Sequence, residues 1–88
     1  MTPEIEILRQ KIDSIEDNLI VLLNERAKYV LEIGKIKQKQ GLPIEDVKRK
    51  EVILNRIAQK NPGPVSNEFL IDIFERIIKE SIKMEQLL

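Results

Sequence analysis

The sequence predicts an all-α chain of three helices, one long and two shorter, and three observations carry that prediction. Apolar residues recur at helical spacing in three segments, and no stretch alternates apolar with polar as a strand would. Two breakers, Gly41-Leu42-Pro43 and Asn61-Pro62-Gly63-Pro64, separate the segments. The first segment, Ile5 to Gln40, also repeats in sevens. Ile5, Ile12, Leu19 and Ile33 form one series and Leu8, Ile15, Leu22, Tyr29 and Ile36 the other, as in a helix that packs along a seam.

Each element has its own signals. Thr2 can cap the first helix, Pro3 fits its first position, and Glu4 meets the positive end of the dipole. The helix should stop at Gly41, which accepts a left-handed C-terminal conformation, and Pro43, which cannot continue it. Gly34 lies inside it at a cost of up to about 1 kcal/mol relative to Ala, which points to close approach of a neighbouring helix or, as the second choice, of a ligand. A second helix is expected from Glu45 or Asp46 to about Lys60, with Val47, Leu54, Ile57 and Ala58 among its apolar positions. Ser66 caps the third, with Glu68 in its first turn and Leu70, Ile73, Phe74, Ile77, Met84 and Leu88 as its stripe. Ser81 falls inside that stripe.

Length and composition narrow the function. The chain has 88 residues, room for one small domain, 1–88, with little margin as a monomer. A helix from Ile5 to Gln40 would be about 54 Å long, whereas a compact domain of this size has a radius of gyration of about 12 Å. The long helix should protrude and find a partner. Formal charge is zero, with 15 basic and 15 acidic residues, and the aromatic residues are Tyr29, Phe69 and Phe74 alone. A general nucleic-acid surface is therefore not expected. With no Cys and no His, disulfides, thiolate metal sites, cysteine nucleophiles, imidazole bases and the common zinc sites are excluded. The start MTPEIEILRQ lacks a basic leader and no run approaches about 18 apolar residues. A soluble cytoplasmic protein without membrane attachment is the expectation.

One residue breaks the seam. Arg26 occupies the place between Leu19 and Ile33, so a permanently charged guanidinium points where the repeat requires a buried side chain. The neighbouring row reads Arg9, Glu16, Leu23, Val30, Lys37. Arg26 and Lys37 are 11 residues apart, about three turns plus 20° and about 16 Å of rise, so they share a face and can hold two ends of one small anion. Arg9 is 28 residues from Lys37, about 42 Å along the helix. It cannot reach that anion within the same chain, but an antiparallel partner helix could bring it there.

Taken singly, these residues have ordinary structural explanations. Arg26 can set register in a coiled coil, Arg9 and Lys37 can pair across a dimer, and Asp46 can cap a helix. Arg49 and Lys50 can be a solvated face, Ser81 can return its hydroxyl to a carbonyl one turn back, and Glu85 can lie on the surface. Together, several cations with a Ser and a Glu beside apolar stripes point to a pocket for a small polyanion.

The pattern LRQKIDSIEDNLIVLLNERAKYVLEIGKIKQKQGLPIEDVKRKEVILNRI, followed by FERIIKESIKMEQ, resembles the all-helical (AroQ-class) chorismate mutases over essentially the whole chain. Its most specific parts are Leu8-Arg9 with Ile12-Asp13, Leu23-Asn24-Glu25-Arg26, Ile33-Gly34-Lys35-Ile36-Lys37, Pro43 with Asp46 and Arg49, and Ser81. The resemblance implies an intertwined homodimer with two sites, each built from both chains. It implies rearrangement of chorismate to prephenate on the route to phenylalanine and tyrosine, a unimolecular reaction that needs no nucleophile, metal or cofactor. Catalysis would consist of holding a dianion in its reactive conformation and stabilising charge on the ether oxygen.

Carried over by residue, Arg9 of one chain and Arg26 of the other resemble the arginines that bind the substrate carboxylates. Lys37 resembles the lysine that donates to the ether oxygen, and Arg49 the arginine on the ring side. Ser81 resembles the serine near a carboxylate, and Asp46 matches a position that contacts the hydroxyl end or orients its neighbours. Many members carry Glu after the arginine matched by Arg49, where it accepts the ring hydroxyl. Lys50 stands there in this chain, which leaves that acceptor open between Asp46 and a backbone group. Glu85 occupies the position where many members have Gln as second donor to the ether oxygen. It can donate only when protonated, so activity is expected to fall as pH rises toward neutrality and above. The alternatives are an isochorismate pyruvate-lyase on the same fold, and a non-catalytic dimerisation or regulatory subunit that docks on another aromatic-pathway enzyme.

Overall fold

The computed structural model describes residues 2–88 as three helices, α1 (Pro3–Gln40), α2 (Val47–Lys60) and α3 (Asn67–Gln86), with no strand among the described residues. The caps fall where the sequence puts them. Thr2 Oγ1 accepts from the Ile5 N–H at 3.3 Å, and Gly41 ends α1 with φ 67° and ψ 28°, a backbone conformation in which a side chain would be strained. The second helix begins at Val47 rather than at Glu45 or Asp46, because Asp46 is its cap and accepts from the Arg49 N–H at 3.0 Å. At the second break the Asn61 side-chain amide bonds to the Val65 carbonyl at 2.9 Å and to Asn67 Oδ1 at 2.7 Å. Ser66 Oγ then caps α3, accepting from the Phe69 N–H at 3.1 Å.

The middle element is α3. It packs on both α1 and α2, which make no backbone-level contact with each other among the described residues. Side-chain bonds join Arg26 to Ser81, Lys37 to Glu85 and Gln38 to the Leu88 carbonyl, in the same order along both helices, so α1 and α3 run parallel. The space above α3, between α1 and α2, is left open.

The core is small. Ile53 and Ile78 are the buried apolar side chains among the described residues, and Gly34 and Glu85 are buried close by. The face of α2 is centred on Ile53, with Leu54, Ile57 and Ala58 half-buried, whereas Val47 in the first turn is exposed. The 38 residues of α1 make a rod of about 57 Å, and the molecule is 57 Å long with a radius of gyration of 16.7 Å, well above the roughly 12 Å of a compact domain this size. Its first half projects clear of α2 and α3. Ile12, Ile15, Leu19 and Leu22 on the seam are all more than half exposed, far more contiguous apolar surface than a soluble monomer usually carries. Among the described residues, no helix is long and apolar enough to cross a membrane.

Candidate active site

The open space between α1 and α2 is a cavity of about 450 Å³, within the range that holds a small ligand. Ile33, Ile53, Ile78 and Ile82 give it an apolar floor. Its charged groups are drawn from all three helices: Arg26 and Lys37 from α1, Asp46 before α2, Arg49 and Lys50 on α2, and Glu85 on α3. Ser81 adds a hydroxyl. Every one of these was singled out in the sequence. The remaining candidate, Arg9, is elsewhere: its guanidinium lies 3.5 Å from Glu6 one turn away, on the projecting half of α1.

The two α1 cations lean toward one another. Arg26 and Lys37 are about 16 Å apart along α1, yet they bond to Ser81 and Glu85, which are four residues and about 6 Å apart along α3. Arg26 donates to Ser81 Oγ, and Ser81 in turn donates to the Ile77 carbonyl at 2.8 Å. The serine thus makes its bond one turn back and still orients the arginine. The Lys37 ammonium donates to the Ile44 carbonyl at 2.7 Å and to Glu85 Oε2 at 3.2 Å. Two of its three donors are used in that way, and the third is left for a ligand. Glu85 is not a surface residue, being only 8% exposed. Asp46 is both a cap and a wall of the cavity.

The site is electropositive. Burial holds the Arg26 guanidinium below its usual pKa, and the cations Arg49 and Arg56 add to the effect. A cation so placed gains most from an anion within reach of its fork of donors. Arg56 was missed in the sequence, although its spacing of seven from Arg49 puts the two on one face of α2. Ile44 was missed because its contribution is a backbone carbonyl, which no side-chain pattern reports. Ile53 and Ile78 were also passed over, although each follows the four-residue spacing that leads to a polar member of the site: Ile53 from Arg49, and Ile78 through Ile82 beside Glu85.

A family profile described as chorismate mutase type II matches residues 8–86. The chain belongs to that family. Its members include mutases with the same three-helix fold. The chain is 36% identical to a chorismate mutase (form II) from Thermus thermophilus, with a TM-score of 0.92 and 94% of each chain covered. It is 32% identical to chorismate mutase from Helicobacter pylori in complex with prephenate, with a TM-score of 0.87, covering 97% of this chain and 92% of that one. It is also 37% identical to the bifunctional chorismate mutase/prephenate dehydratase of Aquifex aeolicus over 87 residues, 94% of this chain. The chain spans about a quarter of the length of that relative, 24%. Within this type II frame, the α1 cations and their α3 partners stand over one cavity in a single chain.

Proposed function

We propose that the chain is a chorismate mutase, an isomerase that converts chorismate to prephenate in aromatic amino-acid biosynthesis in the cytoplasm. The observation that carries this reading is the convergence of Arg26 and Lys37, about 16 Å apart on one helix, over a cavity shaped for a small anion in a type II chain. Two solved structures that the chain matches over more than nine-tenths of their length are chorismate mutases, one of them in complex with prephenate.

The reaction breaks one carbon–oxygen bond and forms one carbon–carbon bond within a single molecule, so the protein supplies geometry and charge. Arg26, oriented by Ser81, binds one carboxylate, and Arg49 approaches from the α2 side. Lys37 directs its remaining donor at the ether oxygen, where negative charge grows as the bond lengthens. A donor aimed at developing charge is typically worth about 10²–10³ in rate. Asp46 and Lys50 stand at the hydroxyl end, and Glu85 holds Lys37 in place and faces the same oxygen. The apolar floor restrains the side chain and ring in the reactive conformation.

Arg9 completes the site from a second copy. The bare seam from Ile5 to Leu22 supports an antiparallel pairing of α1 with α1 of a partner, which would cover the exposed leucines and isoleucines and carry each Arg9 to the other chain's cavity. The bifunctional relatives support a place for the chain beside an enzyme that consumes prephenate.

Product analysis tests the reading. Purified protein is incubated separately with chorismate and with isochorismate. Prephenate from chorismate is expected, and release of pyruvate from isochorismate without prephenate from chorismate would overturn it.

A further inference from the structure

Gly34 calls for a different explanation from Gly41. The left-handed φ of Gly41 requires glycine, and a Cβ there would meet nothing within 4 Å. Gly34 is a buried helical residue with an ordinary negative φ, so its backbone does not require glycine. What it lacks is room. A Cβ built at 34 would lie 2.7 Å from Leu88 Cδ1, 3.0 Å from Glu85 Cγ and 3.4 Å from Glu85 Cβ.

These neighbours differ in their freedom. Leu88 Cδ1 is the far end of a side chain that is 42% exposed and can swing outward. Glu85 is buried, and its carboxylate is tied to the Lys37 ammonium at 3.2 Å. Relief of the Glu85 overlap must move that carboxylate or push α3 away from α1. Either movement falls on the ion pair, because Gly34 and Lys37 are three residues apart on the same face of α1.

We propose that Gly34 is a positioning residue: its missing side chain lets Glu85 approach α1 closely enough to hold the Lys37 ammonium where the reaction needs it. The inference rests on the mutase reading. A packing role alone predicts that the two helices meet less well when 34 is enlarged. A positioning role predicts a loss confined to the chemical step and dependent on Glu85.

The test compares wild type, Gly34→Ala, Leu88→Ala, the double variant Gly34→Ala/Leu88→Ala, and Gly34→Ala in a Glu85→Ala background. Ala favours helix over Gly, so the melting temperature of Gly34→Ala is expected to stay level or rise while kcat falls about tenfold and KM moves less than about twofold. Leu88→Ala alone keeps wild-type activity. It does not restore the double variant, in which the Glu85 overlap remains. In the Glu85→Ala background the Gly34 substitution costs nothing further. Crystals of Gly34→Ala, or of the double variant should the single one fail to fold, are expected to show the Lys37–Glu85 pair lengthened beyond 3.2 Å.

A Gly34→Ala enzyme within about twofold of wild-type kcat, or full rescue by Leu88→Ala, would overturn the inference, the second because the glycine would then be making room for Leu88. If the wild type does not turn chorismate over, the functional reading fails, and the crystal distance alone decides whether Gly34 sets the pair.

Discussion

Mixing two inactive variants tests whether the site is shared between chains. Arg9 and Lys37 are separated by 28 residues of unbroken helix, about 42 Å, far beyond the reach of an arginine side chain. Arg9→Ala and Lys37→Ala should each abolish most activity alone. Refolded together, they form mixed dimers in which one site carries both lesions and the other neither. Random pairing makes about half of the dimers mixed, so about a quarter of all sites are intact, and the mixture should run at about a quarter of the wild-type rate per site. The control is Arg26→Ala mixed with Lys37→Ala. Both residues belong to the same chain's half of the site, every site then keeps one lesion, and no rescue is expected. The assay is chorismate turnover, with mixed dimers verified by a tag on one variant. A first mixture no faster than the mean of its two parents would refute the shared site.

Three further outcomes are expected. Arg26→Met should abolish turnover yet stabilise the fold. Burial and the neighbouring Arg49 and Arg56 lower the Arg26 pKa, so the charged form that prevails at neutral pH opposes folding; thermal melting should rise by the equivalent of about 1 kcal/mol or less, since the group is partly solvated. A drop in stability would mean that the Ser81 bond outweighs the burial. Leu19→Glu places a charge on the bare seam, 51% exposed in the single chain, and should leave the protein monomeric and inactive in sedimentation and turnover assays, at a loss of about 2 kcal/mol of apolar burial per copy; an unchanged dimer would remove the seam from the interface. Glu85→Gln keeps an acceptor for Lys37 and adds a donor on the side of the ether oxygen, so kcat is expected to hold or rise. A kcat lowered about tenfold or more would show that Lys37 needs the charge of the Glu85 carboxylate.

Much of the architecture was legible in the residues because local rules and tertiary packing agree. Thr2, Asp46 and Ser66 cap three helices and Gly41 ends the longest, and each acts within a few residues of itself. The site was legible for a different reason. Arg26 contradicts the seam in which it sits, and such a contradiction persists where function maintains it. Groups defined by three-dimensional approach were harder to read. The burial of Glu85 depends on a gap left by Gly34 across the α1–α3 interface, and the Ile44 carbonyl reaches Lys37 only through the path of the connection to α2. The exposed seam was legible as a pattern, and among the described residues it stays more than half exposed at Ile12, Ile15, Leu19 and Leu22.

The measurement that bears most directly on the proposed activity is the loss of chorismate absorbance with purified protein, with the product identified, in wild type and in Arg26→Ala. Prephenate is expected from the wild type, with a loss of at least about 10²-fold in the variant. No turnover by the wild type at any mildly acidic to neutral pH, or equal turnover by Arg26→Ala, would contradict it.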